Sequence, residues 1–473
     1  MSTTTHYFAV DLGATSGRTI LASYDGHKTE MRELTRFANP MIPAFGHLYW
    51  DLPGLYNEVL KGLKKVADEG VKITSIGIDT WGVDFAFFGE DGRLLGLPHC
   101  YRDPHTDGAV DKYCETNDKR EVYERTGIQF MDFNSLFQLY TLRHEKTTVL
   151  EHADKILFMP DALIYMLTGK AVCEYTIAST SQFLNPVTGD LDEELLRTVG
   201  VRRSQFGPIT RPGTVVGPLT AQVREYTGLD GSVQVVAVAG HDTASAVASV
   251  PAKDGNYAYL SCGTWSLLGI ESPKPIITDR SFEQNFTNEG GIEGTTRFLK
   301  NICGLWIFEQ CKKEFKDVPQ DIASLSALAL ESNLGSRINP DDPSFVHPAS
   351  MTRAIDEYCI KTGQPVPKTP ADYIHCIYKS LALRYKAIID ILEEITPVKV
   401  DCLHVIGGGS KNPYLMQYAA DAIGKPVICG PTEGTALGNV LMQIKAAGLV
   451  KTLPEMRQIV AESVELKKYT PKF

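Results

Sequence analysis

Asp11-Leu12-Gly13-Ala14-Thr15-Ser16-Gly17-Arg18 sets a carboxylate, two glycines, two hydroxyls and a guanidinium within one short stretch. The apolar run Phe8-Ala9-Val10 carries Asp11 to the end of a strand, where it can hold a Mg2+ ion directly or through water. Glycines let backbone N–H groups point into one concavity that fits phosphate oxygens, and Thr15 and Ser16 add hydroxyl donors. A second strand over residues 19–24 follows and reverses at Asp25-Gly26, a strong hairpin signal. A P-loop joins a strand to a helix, so a phosphate turn inside a hairpin is a different device. Taken alone, the same residues also read as an ordinary glycine-rich hairpin.

The design recurs near mid-chain. Residues 257–270 again read as strand, small turn and strand, with Ser261-Cys262-Gly263-Thr264-Trp265-Ser266 at the reversal. Two related domains, each giving one phosphate loop to a shared cleft, would place the turns in this way. A third element, Val405-Ile406-Gly407-Gly408-Gly409-Ser410, is a buried strand ending in three glycines. Asn412 as N-cap and Pro413 at the first helical position then open a helix whose N-terminus attracts anions.

Two further stretches carry chemistry. An apolar strand ends at Gly240 and a helix of small residues begins at about Thr243, which leaves Asp242 beside a helix start that favours its ionised form. Asp242 is either an N-cap or a base that takes a proton from, or orients, a substrate hydroxyl during phosphoryl transfer. His241 equally reads as a hydrogen-bonded structural residue. Residues 76–84 form a buried strand ending in a tight, polar, aromatic turn. There Trp81 offers an apolar face to sugar C–H groups and Gly82 lets the backbone approach a ligand. Alternatively, Trp81 is core and Asp84 a solvated turn residue.

The elements that position these groups are strands alternating with helices. Residues 72–79 read as a strand after an amphipathic helix over 55–68. Residues 371–395 form a long core-facing helix with Tyr373, Ile374, Ile377, Leu381, Tyr385, Ile388 and Leu392 at helical spacing, ended by Pro397. Helices over 412–423 and 436–447 stop at Gly424 and Gly448. Residues 251–255 are the best domain boundary. A chain of 473 residues, 43% hydrophobic and 22% charged, is expected to hold two or more domains with large cores. Its net charge of −10 argues against a nucleic-acid surface. No apolar run reaches membrane-helix length and the opening Met1 to His6 lacks a signal pattern, so a cytoplasmic location is expected. The ten cysteines form no C-x-x-C pair. Cys359 and Cys376 flank a proline-containing loop and can approach one another, with free thiols expected in a reducing compartment.

With these motifs in this order, the chain resembles the FGGY carbohydrate kinases from about residue 6 to about residue 445. The likeness rests on the Asp11 to Arg18 turn, Ile78-Asp79-Thr80-Trp81-Gly82-Val83-Asp84-Phe85, His241 to Ala246 and Ser261 to Ser266. It continues in Thr287-Asn288-Glu289-Gly290-Gly291, Lys300 to Trp306 and the triple glycine. Within the family it is strongest to members that phosphorylate the 1-hydroxyl of L-rhamnulose in L-rhamnose catabolism, with L-fuculose as the nearer alternative. A non-catalytic actin-like nucleotide or sugar sensor is the more distant one, and the presence of Asp242 favours the enzyme.

The resemblance implies an α/β fold of two ribonuclease-H-like (actin-like ATPase) domains, with mixed β-sheets flanked by helices and an interdomain active-site cleft. Residues 1–250 would hold the sugar and the first phosphate loop, and residues 251–473 the nucleotide. It implies ATP and Mg2+, the latter near Asp11, with a small-molecule sugar as the other partner. The expected assembly is a monomer or small homo-oligomer. By matching positions, Asp242 is the catalytic base, and Gly82, His241, Asp242, Thr243 and Asn301 contact the sugar. Ala14, Thr15, Ser16, Gly17, Arg18, Thr264, Glu309 and Gly408 contact ATP. Glu309, next to Gln310, stands where the family has a glutamine, and Ala14 departs from the threonine common in the wider family.

Overall fold

The structure, a computed structural model, describes residues 4–253, 255–319, 321–346 and 348–472. Residues 1–3 of the opening segment and Asp254 of the expected boundary therefore lie outside the described residues. The chain packs as two compact units. The first is Met1–Pro251 with Ser272–Phe298 and Gly434–Ser463, and the second is Ala252–Glu271 with Leu299–Glu433 and Val464–Phe473. The chain first crosses to the second unit after Pro251. The two returns to the first unit differ from a single cut, because packing onto a sheet and not place in the chain decides where a segment belongs.

Each unit holds a mixed sheet of the same pattern, and only the strands of that pattern are numbered. In the first unit these are β1 (Thr5–Leu12), β2 (Ser16–Tyr24), β3 (Thr29–Ala38), β4 (Ser75–Thr80), β5 (Thr214–Pro218) and β6 (Gln234–Ala237). They lie in the order β5-β6-β4-β1-β2-β3. The second unit has β7 (Tyr257–Cys262), β8 (Trp265–Ser272), the Leu299-onward part of β9 (Thr296–Cys303), β10 (Cys402–Ile406), β11 (Val427–Cys429) and β12 (Lys467–Tyr469). These lie in the order β9-β8-β7-β10-β11-β12. In each sheet a hairpin (β1–β2, β7–β8) is followed outward by two parallel strands and an antiparallel edge. The pattern is the duplication that the two turns lead one to expect.

The central strands are buried because helices cover them. Tyr7, Phe8, Ala9 and Val10 of β1 have no exposed surface. Helix Leu52–Asp68 starts where Asp51 accepts a hydrogen bond from the Gly54 N–H, and it buries Leu52, Leu55, Val59, Leu63 and Val66 on one stripe. Helix Gly434–Ala446 crosses the first sheet at Gly77, whose added Cβ would stand 2.3 Å from Asn439 Oδ1. The same helix meets helix Asp242–Ala248 at Gly438, where a Cβ would lie 1.7 Å from the Ser245 carbonyl oxygen. In the second unit, helix Pro370–Ile395 buries the expected residues except Tyr373, whose hydroxyl reaches out to Asp356 at 2.7 Å. Cys359 and Cys376 are free buried thiols in hydrogen-bond contact.

Candidate active site

The first turn is built by register. Asp11 pairs with Arg18 and Leu12 with Gly17 across β1 and β2, and the Gly13 N–H closes the reversal on the Ser16 carbonyl at 2.9 Å. Asn39 braces the turn from β3's end, its backbone N–H on Thr15 O and its side-chain amide on Gly13 O, both at 3.0 Å. Thr15 is exposed, Ala14 is half-buried, and Gly17 is packed under Phe37. Arg18 donates twice to Asp11 Oδ2, at 3.0 and 2.7 Å. The residue expected to reach nucleotide and the residue expected to hold Mg2+ are thus an ion pair here.

Asp79 on β4 lies beside Asp11 in the parallel register. Its carboxyl is held well above the usual carboxylate range, first by burial and then by the charge of Asp11, while a 2.7 Å bond from Asn439 opposes. Its Oδ1 is buried with no hydrogen-bond partner. Hard oxygen donors of this kind suit Mg2+.

β4 and β6 run parallel and bring two loops together at their ends. The Thr80 N–H donates to Gly240 O at 2.9 Å, and an ideal Cβ on Gly82 would stand 3.4 Å from His241 Nε2. Between them, Val83 takes φ 68°, a left-handed conformation costly for a β-branched residue. It is held there by the Thr180 hydroxyl, which accepts from the Val83 N–H at 3.0 Å. The buried carboxylate of Glu174 shapes the second loop, accepting from the Gly240 N–H at 2.9 Å and the Thr176 hydroxyl at 2.6 Å.

Asp242 is the first residue of its helix and His241 is the cap, so the N-cap alternative for Asp242 does not hold. Asp242 Oδ1 accepts from the Thr243 N–H at 2.5 Å and the Thr243 hydroxyl at 3.1 Å, and His241 Nε2 stands 3.3 Å from the same oxygen. Arg297, with no exposed surface, places Nη2 3.2 Å from His241 Nδ1 and 3.1 Å from Glu289 Oε2. A guanidinium only donates, so Nδ1 accepts and the imidazole proton sits on Nε2, facing Asp242. Loss of water raises the Asp242 carboxyl above its ordinary range, the His241 contact opposes, and the charge of Asp11 adds to the rise. Glu289 lies in a motif quoted from the sequence but without a role, and Arg297 gave no local signal.

The aromatic turn differs from its sequence reading. Trp81 is buried against Trp50, with ring centroids 4.5 Å apart, and offers no open face. Asp84 is fully buried, not solvated: Trp50 and Trp81 Nε1 and the Tyr101 N–H donate to Oδ2 at 2.6, 2.8 and 3.1 Å, and Gln138 donates to Oδ1 at 2.8 Å.

The second unit holds Thr264, Asn301, Glu309 and Gly408. The Gly263 N–H closes the turn on Trp265 O at 2.9 Å, and Thr264 O accepts from the Trp306 N–H at 3.1 Å. Gly407 has φ +85°, and a Cβ on Gly409 would meet Cys262 Sγ at 2.3 Å, whereas one on Gly408 meets nothing within 4 Å. Asn412 caps helix Pro413–Ile423 as expected, accepting from the Tyr414 and Leu415 N–H groups at 3.1 Å. Glu309 is half-exposed on helix Trp306–Glu314, beside Lys312 at 4.0 Å. Asn301 sits on β9 next to Lys300, whose ammonium burial lowers to about 8.

Residues 6–248 match the family model described as the N-terminal domain of the FGGY family of carbohydrate kinases, and residues 258–447 match that of its C-terminal domain. The chain is 52% identical over 466 residues to the rhamnulokinase of Bacteroides thetaiotaomicron, covering 98% of this chain and 96% of that protein. It is 43% identical over 470 residues to the rhamnulokinase of Bacillus subtilis, covering 98% and 95%. Among solved structures, gluconate kinase from Lactobacillus acidophilus superposes with a TM-score of 0.82 at 18% identity, covering 99% of this chain and 94% of that one. Xylulose kinase from the same organism gives 0.81 at 18% identity and the same coverage. These two share the fold.

Proposed function

The chain belongs to the FGGY family of carbohydrate kinases, and from that premise we propose that it transfers the terminal phosphoryl group of ATP to the 1-hydroxyl of L-rhamnulose. The products are L-rhamnulose 1-phosphate and ADP, and the reaction serves L-rhamnose catabolism in the cytoplasm. The sugar and MgATP are its partners. No helix among the described residues is long and apolar enough to cross a membrane.

The observation that carries the mechanism is the one-sided occupation of Asp242. The contacts from Thr243 and His241 fall on Oδ1, which leaves Oδ2 to accept a hydroxyl proton. As the substrate oxygen forms its bond to phosphorus and the bond to ADP breaks, the hydroxyl proton passes to Asp242. A carboxyl raised above its ordinary range is the stronger base for that step. His241, its proton fixed on Nε2 by Arg297, orients the carboxylate and stands by Gly82, where the sugar would approach. Backbone amides and hydroxyls of residues 14–18, with Thr264 and Gly408, would take the phosphates. Mg2+ bound with ATP would spread charge over the phosphate oxygens, with Asp11 and Asp79 as the residues to anchor it. Phosphoryl transfer is mostly positioning and electrostatics, so this preorganisation is the catalytic device.

A coupled ADP-release assay over L-rhamnulose, L-fuculose, D-xylulose, L-rhamnose and glycerol tests the assignment. Fastest turnover on L-rhamnulose is expected. Equal or faster turnover of glycerol or D-xylulose would overturn it.

A further inference from the structure

Away from that site, His47, His99, Asp103 and His105 bring three imidazoles and a carboxylate together in the first unit, each offering a ligand atom within 4.8 Å of the others. Local structure holds them there. The short strand His47–Tyr49 is tied to the following segment by the Trp50 N–H on Pro98 O and the Cys100 N–H on Leu48 O, both at 2.9 Å. Asp103 is buried and anchored by backbone: the His105 N–H donates to Oδ1 and the Leu48 N–H to Oδ2, both at 3.1 Å. His47 Nδ1 and His99 Nδ1 converge on the same Oδ2 at 3.0 and 3.1 Å. The rings of His99 and His105 stack 4.6 Å apart.

His105 supplies the independent sign of a missing ligand. Its side chain is 4% exposed, yet neither ring nitrogen has a hydrogen-bond partner. Glu145 stands 3.5 Å from its Nδ1, beyond a good hydrogen bond but placed to hold the imidazole from behind. A buried imidazole with both nitrogens unanswered is costly in a fold that satisfies its buried polar groups. A metal on one nitrogen, with Glu145 drawing closer to the other, answers both, in the arrangement common to metal-bound histidines.

We propose that His47, His99, His105 and Asp103 form a divalent transition-metal site that takes Zn2+. Imidazole and carboxylate donors suit zinc, and Zn–N bonds of about 2.0 Å put tetrahedral ligand atoms about 3.3 Å apart, close to the spacings on Asp103 Oδ2. Four protein ligands close the coordination shell, so the site is structural and takes no part in phosphoryl transfer. It pins the strand His47–Tyr49 to the segment carrying Asp103, and the neighbours Trp50 and Tyr101 both donate to Asp84.

The test uses the full chain, stripped with chelator and titrated with ZnCl2 without ATP or Mg2+. Calorimetry and elemental analysis should find one Zn2+ per chain, bound more tightly than about 1 µM, with a raised melting temperature. Co2+ in its place should give the visible bands of a tetrahedral nitrogen–oxygen site, without the thiolate charge-transfer bands that would point to cysteines. The His47→Ala/His99→Ala variant should bind about 100-fold or more weakly. If the wild-type chain binds no Zn2+ in this range, the cluster is a metal-free histidine–aspartate network and the proposal is wrong. A double variant that still binds like the wild type, or a thiolate spectrum, equally overturns it. Because the wild-type titration decides alone, a variant that fails to fold does not rescue the proposal.

Discussion

Asp84 receives four hydrogen bonds, each favouring its charged form, and still its carboxyl is pushed up to about 6 because burial outweighs them. In the unfolded chain it would lose its proton near 3.8. Between those values the native state binds the extra proton, so this group's contribution to stability falls as pH rises from about 4 to about 6. Trp50 and Trp81 both donate to Asp84, so their near-ultraviolet circular dichroism should titrate with a midpoint near 6. That transition should vanish in Asp84→Asn, and a midpoint near 4 would refute the shift. The sequence places Asp84 in a turn but cannot show Trp50, Tyr101 and Gln138 closing over it from distant segments. Arg297 was invisible for the same reason. Arg297→Met takes a buried charge from beside Glu289 and should cost about 3–5 kcal/mol in urea unfolding. The added Glu289→Gln change should recover much of that loss. A single variant as stable as the wild type would show that the pair is dispensable.

At the scale of elements, what is local was legible. The two hairpins, the Asn412-Pro413 helix start and the helix over 370–395 declare themselves through turn chemistry, capping and periodicity. The return of residues 434–463 to the first unit was not legible, since it depends on close packing between segments far apart in sequence. Gly438 is where that packing is tightest. Gly438→Ala should drive a methyl into the Ser245 carbonyl, lower the melting temperature by more than an ordinary overpacked site, and reduce turnover by shifting the helix that begins at Asp242. An unchanged melting temperature would mean that the two helices separate at little cost. Gly408 is the converse case, with open space around its Cβ position. Gly408→Val should fold normally yet bind ATP more weakly by calorimetry, because the side chain would fill the open space of the proposed nucleotide loop. Unchanged affinity would remove this loop from the nucleotide site.

For the whole molecule, two sheets that share one six-strand pattern and a family likeness along nearly the entire chain agree on a carbohydrate kinase. The sequence motifs named the loops and Asp242 because those residues are contiguous. The placement of the imidazole proton beside the proposed base was out of reach, since it comes from Arg297 acting on His241. In the proposed mechanism Asp242 accepts the proton of the sugar hydroxyl. Asp242→Asn keeps an oxygen for the Thr243 N–H but loses the proton acceptor. Steady-state phosphorylation of L-rhamnulose, measured beside the melting temperature of the same preparation, separates a proton acceptor from a structural carboxylate. The expected result is an unchanged melting temperature, retained sugar binding and a turnover lower by ~10²–10⁴-fold; a stable Asp242→Asn protein with near-normal turnover would show that the carboxylate is structural.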